Sequence, residues 1–190
     1  MVLLNNYFDL EEIMTAIINI LNSLYKLVVL KFSEERRNNY LRRQGVKIGR
    51  NCKVHTVSFS TEPYLVTIGD NVRITSGTIF VTHDGAVNVF DREIGGGIFG
   101  EIKIGNNVFI GTNSLILLNT SIGNNCIIGA GSVVRGHFPD DSVIIGNPAR
   151  VIMKTSIQKL LYRQSPGLVK TNNIPPAECT KLIRKHFGLD

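Results

Sequence analysis

The sequence has no tryptophan, and its aromatic rings are nine Phe and five Tyr in 190 residues. The apolar 43% of the chain is therefore mostly aliphatic, and eighteen glycines punctuate it, a composition suited to many short strands joined by sharp turns. Cysteine is scarce too. Cys52, Cys126 and Cys179 are odd in number, far apart and without a Cys-x-x-Cys pair, which excludes a disulfide framework and a zinc knuckle and points to a reducing, cytoplasmic setting. The first residues, MVLLNNYFDLEEIM, lack the basic region and small-residue cleavage site of a secretory signal. Charge is the one imbalance. Twenty-one Lys and Arg against fifteen Asp and Glu give +6, which suits nucleic acid, an anionic membrane surface or a phosphorylated ligand, because net charge speaks to partners and not to fold.

Residues 9–32 carry a helical pattern, with Leu10, Met14, Ile17, Leu21, Leu24 and Val28 alternately four and three apart on one face. Asp9 and Glu12 make a capping box at its start. Asn19, Asn22 and Lys26 fall off the stripe, and such polar interruptions argue against a spanning helix. The stripe is expected to pack on the protein's own body or on copies of it, with a membrane-surface helix as the alternative. Lys31 to Arg43, with Arg36, Arg37, Arg42 and Arg43, reads as a solvated basic face that also suits anionic lipid.

From Val46 onward the chain is periodic. Ile104, Ile110, Ile116, Ile122, Ile128 and Val134 recur in steps of six and head units such as IGNNVF, IGTNSL, IGNNCI and IGAGSV. Counting back thirty-six residues from Ile104 reaches Ile68 and IGDNVR, so the register survives the intervening segment. IGRNCK from Ile48 sits two residues out of step, which predicts a small insertion between Ser60 and Val66. The fifth position of the unit holds Cys52, Val72, Val108, Ser114, Cys126 and Ser132, all small, so two of the three cysteines read as core filling. A six-residue unit with one aliphatic side chain buries nothing alone. Three of them form a triangular coil that stacks on the next, with Gly and the Asn pairs at its corners.

These hexads, the Thr82-His83-Asp84 segment and Ile-Gly-Asn-Pro-Ala-Arg-Val-Ile at 145–152 resemble the hexapeptide-repeat acyltransferases. The resemblance covers roughly residues 46–153. Within that family, SFSTEPYLVTIGDNVRITSGTIFVTHDG is most similar to the small O-acetyltransferases of bacterial polysaccharide biosynthesis. The fold implied is an all-β solenoid, a left-handed parallel β-helix. The handedness comes from the resemblance and not from the spacing, and it runs against the usual crossover rule. The expected organisation is an N-terminal helical segment (1–45), the β-helix (46–153) with a loop at 84–101, and a C-terminal tail (154–190) with short helices at 157–162 and 178–187.

Acyl transfer from a thioester to a hydroxyl needs a base for the hydroxyl proton and donors for the charge that develops on the carbonyl oxygen. His83 is the candidate base, since it sits where the hexads break and the family places its histidine at such a Thr-His site. His55, His137 and His186 lack that setting. Glu62, one coil and the two-residue slip earlier, is the expected orienting carboxylate. Asp84 faces the other way unless the backbone has turned. Tyr64 and Asp84 are candidate substrate contacts, Tyr64 with Phe59 as an aromatic wall for a sugar, although core packing suits both rings equally. The loop from Asp84 to Glu101 holds Phe90, Phe99 and Gly95-Gly96-Gly97. The triplet lacks the Lys-Ser/Thr tail of a phosphate loop and reads as a hinge.

The resemblance implies acetyl-CoA as acyl donor, lying between subunits of a homotrimer along Gly111, Thr112, Ala130 and Gly131, with a backbone amide near Gly111 as oxyanion donor. Arg150 and Lys154 suit the nucleotide phosphates. The activity implied is O-acetylation of a sugar or glycan-precursor hydroxyl by direct transfer, with no metal and no nucleic acid partner, and with peripheral membrane contact left open. An acceptor amine, on an antibiotic or an amino sugar, and a non-catalytic hexapeptide scaffold stay open as alternatives. A γ-type carbonic anhydrase needs three convergent histidines, whose closely spaced pair is missing here. A sugar nucleotidyltransferase needs a preceding α/β domain, for which the first forty-five residues are too few.

Overall fold

The computed structural model describes residues 10–31, 33–90 and 95–189. The hexads wind into a three-sided parallel solenoid. Face A stacks Lys47–Ile48, Val66–Ile68, Ile102–Ile104, Thr120–Ile122 and His137–Phe138. Face B stacks Lys53–Val54, Arg73–Ile74, Phe109–Ile110, Ile127–Ile128 and Ser142–Gly146, and face C stacks Ile79–Val81, Leu115–Leu117 and Val133–Val134. Each coil visits A, B and C in turn. Lys103 pairs with Thr67 below and Ser121 above, so the coils stay in register across the long insertion.

Each strand sends one aliphatic inward, and Ile68, Ile74, Ile104, Ile110, Ile116, Ile122, Ile128 and Val134 are all buried. Each such burial stabilises by about 1.5–3 kcal/mol. The small fifth-position residues, Cys52, Val72, Val108, Ser114, Cys126 and Ser132, are buried between them. In the first coil Phe59 fills this role by stacking on the fully buried Phe80 at 4.6 Å.

The A–B corner repeats most faithfully. At its first polar position Asp70, Asn106, Asn124 and Asp140 each accept, at 2.8 Å, the backbone N–H of the preceding coil's corner. At the second, Asn51, Asn71, Asn107, Asn125 and Asp141 adopt φ of 55–59°, the left-handed region that Asn and Asp tolerate best among residues with a Cβ. The glycine ahead of the first four of these corners serves close approach and not positive φ: a Cβ on Gly105 would lie 2.7 Å from the Gly123 carbonyl.

The two ends of the stack need covers, because an end coil has no neighbour to satisfy its backbone. Helix α1 (Leu10–Leu30) leads to α2 (Glu34–Arg43), which closes the first coil. Buried Arg37 donates to the Val54 carbonyl, Asn38 to Cys52 O (2.7 Å) and Arg42 to Ile48 O and Gly49 O. The expected solvated basic face is thus corrected for Arg37 and Arg42, which serve the solenoid's open end, while Arg36 and Arg43 remain exposed. At the far end Ala149–Lys154 folds back antiparallel on Ser142–Gly146, followed by α3 (Thr155–Gln164) and α4 (Pro176–His186).

Two further expectations change. The apolar stripe of α1 does not pack on this chain's body: of its described side chains only Val29 is buried, and Tyr25 touches Tyr40 edge-on. Asp9 of the capping box lies outside the described residues. The segment after His83 is no simple loop, since His83–Asp84 pairs antiparallel with Ile98–Phe99, with a 3₁₀ turn at Ala86–Val89.

Candidate active site

The two-residue slip appears as a 3₁₀ turn at Pro63–Leu65, in the crossing from the first coil to the second. It leaves Glu62 beside the end of strand Ile79–Val81 one coil on. Glu62 Oε2 lies 2.9 Å from His83 Nδ1 and accepts the Thr82 hydroxyl at 2.9 Å, while Oε1 accepts the Thr61 hydroxyl. Thr82 is fully buried, and its N–H donates to Ser60 Oγ (3.1 Å), which in turn donates to Phe80 O. The carboxylate is 14% exposed and the imidazole 41%. The Thr61 hydroxyl foremost, then His83 and Thr82, holds the Glu62 carboxyl below the usual range and outweighs the opposing effect of its cover.

An ionised carboxylate can only accept, so it assigns the proton to His83 Nδ1 and leaves the Nε2 lone pair free. The ring is tilted against Phe99 of the hairpin, with centroids 6.0 Å apart. Beside it opens a cavity of about 380 Å³, lined by Tyr40 and Leu41 of α2, by Gln44 at its C-cap, and by Val57, Phe59, Ser60, Thr61, Pro63 and His83. Sequence reasoning missed the α2 wall. Its one signal was that Arg37, Leu41 and Gln44 share a helix face.

The other sequence candidates separate. Asp84 Oδ1 accepts the Ala86 N–H at 2.8 Å, so it shapes the 3₁₀ turn and does not orient His83. Tyr64 is exposed outside the cavity lining, over Gly45, where an added Cβ would meet its own at 2.9 Å. Gly111, Thr112, Ala130 and Gly131 share the B–C corner, where Gly131 N–H donates to Thr112 O (2.8 Å). A Cβ on Gly111 would lie 2.4 Å from Ala130 N. Gly111's own N–H donates to Ile128 O at 2.9 Å, which removes that amide as an oxyanion donor. Arg150, opposite Ile145, stands near the same corner, but Lys154, opposite Ser142, lies at the other end of its strand, roughly 13 Å away. His83 is at the C–A edge and the B–C corner at the far edge of face C, so one chain does not bring them together.

The remaining histidines lie elsewhere. His55 contacts Arg37 (3.3 Å) and lies 3.9 Å from Glu34, His186 donates to Pro166 O, and His137 is exposed on the last strand of face A, opposite Ser121. Among the described residues no group of three or more His, Cys, Asp and Glu converges as a metal site, and no helix is long and apolar enough to cross a membrane.

Comparison with known proteins places this geometry. A family model described as bacterial transferase hexapeptide (six repeats) matches residues 101–136. The chain is 47% identical to protein CapG of Staphylococcus aureus over 133 residues, covering 67% of this chain and 74% of CapG. It is 38% identical over 107 residues to galactoside O-acetyltransferase of Escherichia coli, covering 56% of this chain and 53% of that protein. It is also similar, at 24% identity and a TM-score of 0.57, to a solved hexapeptide-repeat acetyltransferase of Vibrio cholerae complexed with acetyl coenzyme A, over 68% of this chain and 82% of that one. The last likeness shows the fold, the left-handed parallel β-helix. The identity to CapG over most of both chains, joined to the repeats of residues 101–136, shows that the chain belongs to the hexapeptide-repeat acyltransferase family.

Proposed function

We propose that the protein transfers an acetyl group from acetyl-CoA to a hydroxyl of a sugar or glycan precursor, with residues 46–153 as the catalytic unit. The observation that carries this reading is the 2.9 Å contact from Glu62 to His83 Nδ1, which leaves Nε2 basic at the mouth of a cavity. Nε2 takes the hydroxyl proton as the oxygen attacks the thioester carbonyl. The tetrahedral intermediate then expels the coenzyme thiolate, which receives that proton from the imidazolium. Ser60 and Thr61 line the cavity, but their hydroxyls donate to Phe80 O and Glu62. Neither has His83 as its activating base, and transfer is direct.

The separation of His83 from Gly111, Thr112, Ala130, Gly131 and Arg150 supports a homotrimer in which the donor lies between subunits and Arg150 takes its phosphates. The three free cysteines support a cytoplasmic setting. The likeness to an enzyme named for galactoside O-acetylation supports a sugar hydroxyl over an amine. Thioester cleavage of acetyl-CoA, measured with a panel of sugars, antibiotics and amino acids, tests this reading. Turnover with sugars that His83→Ala abolishes is expected. Coenzyme binding without turnover on any acceptor would favour a scaffold, and ping-pong kinetics would count against direct transfer.

A further inference from the structure

Helix α1 is the longest helix of the described chain, and the solenoid does not explain it. Among its described side chains, Val29 is buried and Tyr25 makes an edge contact with Tyr40 at 5.5 Å, while Asn19, Asn22 and Ser23 border a cavity shared with Tyr40 and Gln44. Ahead of Val29, Ile13, Met14, Ile17, Ile18, Ile20, Leu21, Leu24, Tyr25 and Val28 are each 42–60% exposed. Nine side chains of this size offer on the order of 800 Å², what one partner contributes to a stable interface. A lone helix showing that area in water is unfavourable, so something covers it.

The spacing of these residues identifies the cover. Met14, Leu21 and Val28 fall on the a positions of a heptad and Ile17 and Leu24 on the d positions, a repeat of 3.5 that matches another helix of the same kind. Ile18 and Tyr25 stand at e, and Ile13 and Ile20 at g. The seam is therefore wider than the narrow stripe of a two-stranded coil and meets more than one neighbouring helix. The opposite face reads Glu12, Thr15, Asn19, Asn22, Ser23 and Lys26, with one acid and one base and so no net charge. A helix lying on an anionic bilayer is rich in Lys and Arg there, so this polar face argues against lipid.

We infer that α1 is an assembly helix, whose a and d residues pack in parallel against the α1 helices of other copies of this chain. The parallel direction follows from the three-fold ring proposed above, in which equivalent helices that meet along the axis run the same way along it. The inference concerns how copies are held together and is independent of the chemistry at His83.

Cysteine cross-linking of the full chain in a Cys179→Ser background tests it. Leu21→Cys and Leu24→Cys are expected to form intermolecular disulfides under mild oxidation at least about tenfold faster than Asn22→Cys, one residue away on the polar face. Equal rates at the three positions, or no disulfide at 21 and 24 above that at 22, would overturn it. So would flotation of the Leu21→Cys variant with phosphatidylglycerol vesicles that protect it from cross-linking. Acetyl transfer read in the same samples separates the two conclusions: cross-linking without turnover leaves this inference standing and fails the catalytic one.

Discussion

Two corners of the same solenoid differ in what their side chains do. At the A–B corner each coil repeats the last, and the side chains of Asp70, Asn106, Asn124 and Asp140 are committed to the N–H groups of the coil before. At the C–A corner the repeat is broken twice, by the 3₁₀ turn after Glu62 and by the hairpin after His83. There a carboxylate meets an imidazole whose second nitrogen is free. Where stacking satisfies the backbone, polar residues are structural. Where the stack is interrupted, they become available for chemistry.

Substitutions at the two corners should therefore separate activity from stability. His83→Ala is expected to lower kcat by roughly 10²–10⁴ while the melting temperature barely moves, checked by steady-state kinetics and calorimetry. An equal loss of stability would mean that His83 is a structural residue. Glu62→Gln keeps the size and removes the charge that holds the Nδ1 proton, and a loss of about 10–100-fold in kcat with little change in KM is expected. A loss confined to KM would instead place Glu62 on the acceptor.

The A–B corner should respond in the opposite sense. Gly105→Ala puts a Cβ against the Gly123 carbonyl, and denaturant unfolding should show a cost of about 1–3 kcal/mol with kcat per folded chain unchanged. The smallest effect is on acid stability. The Arg50 backbone N–H, then its guanidinium, holds Asp70 below the usual carboxylate range, and the Asn124 backbone N–H does the same for Asp140. A pKa depressed by folding means that the unfolded chain binds more protons. Stability is then full above the ordinary value of about 4 and declines as pH falls through the lower folded values. Asp70→Asn should flatten that decline in unfolding measured from pH 6 to pH 2, and an unchanged slope would show that the corner carboxylate is not linked to folding.

The six-residue period legibly set the stacking, the inward Ile and Val residues and the small fifth-position side chains, because each repeat has only one way to bury its aliphatic. It also located the slip that carries Glu62 to His83: two extra residues in one coil displace everything after them by a known amount. The α2 cap was not legible. Its arginines read as solvated because their acceptors, the carbonyls of Val54, Ile48 and Gly49, become a helix's neighbours only after the first coil has closed. Arg150 and Lys154 are four apart in sequence and looked like one site, but a strand carries them to opposite ends of face B.

Sequence by itself determined the repeat, the core and the identity of the histidine at the break, since all three follow from spacing along one chain. Tertiary structure decided which nitrogen of that histidine is free, that the Gly111 amide is already spent, that α2 walls the cavity and that α1 stands uncovered. Each of these depends on which groups from distant coils come within hydrogen-bonding or van der Waals reach, and contact across the stack is a property of the closed coils, not of any one hexad.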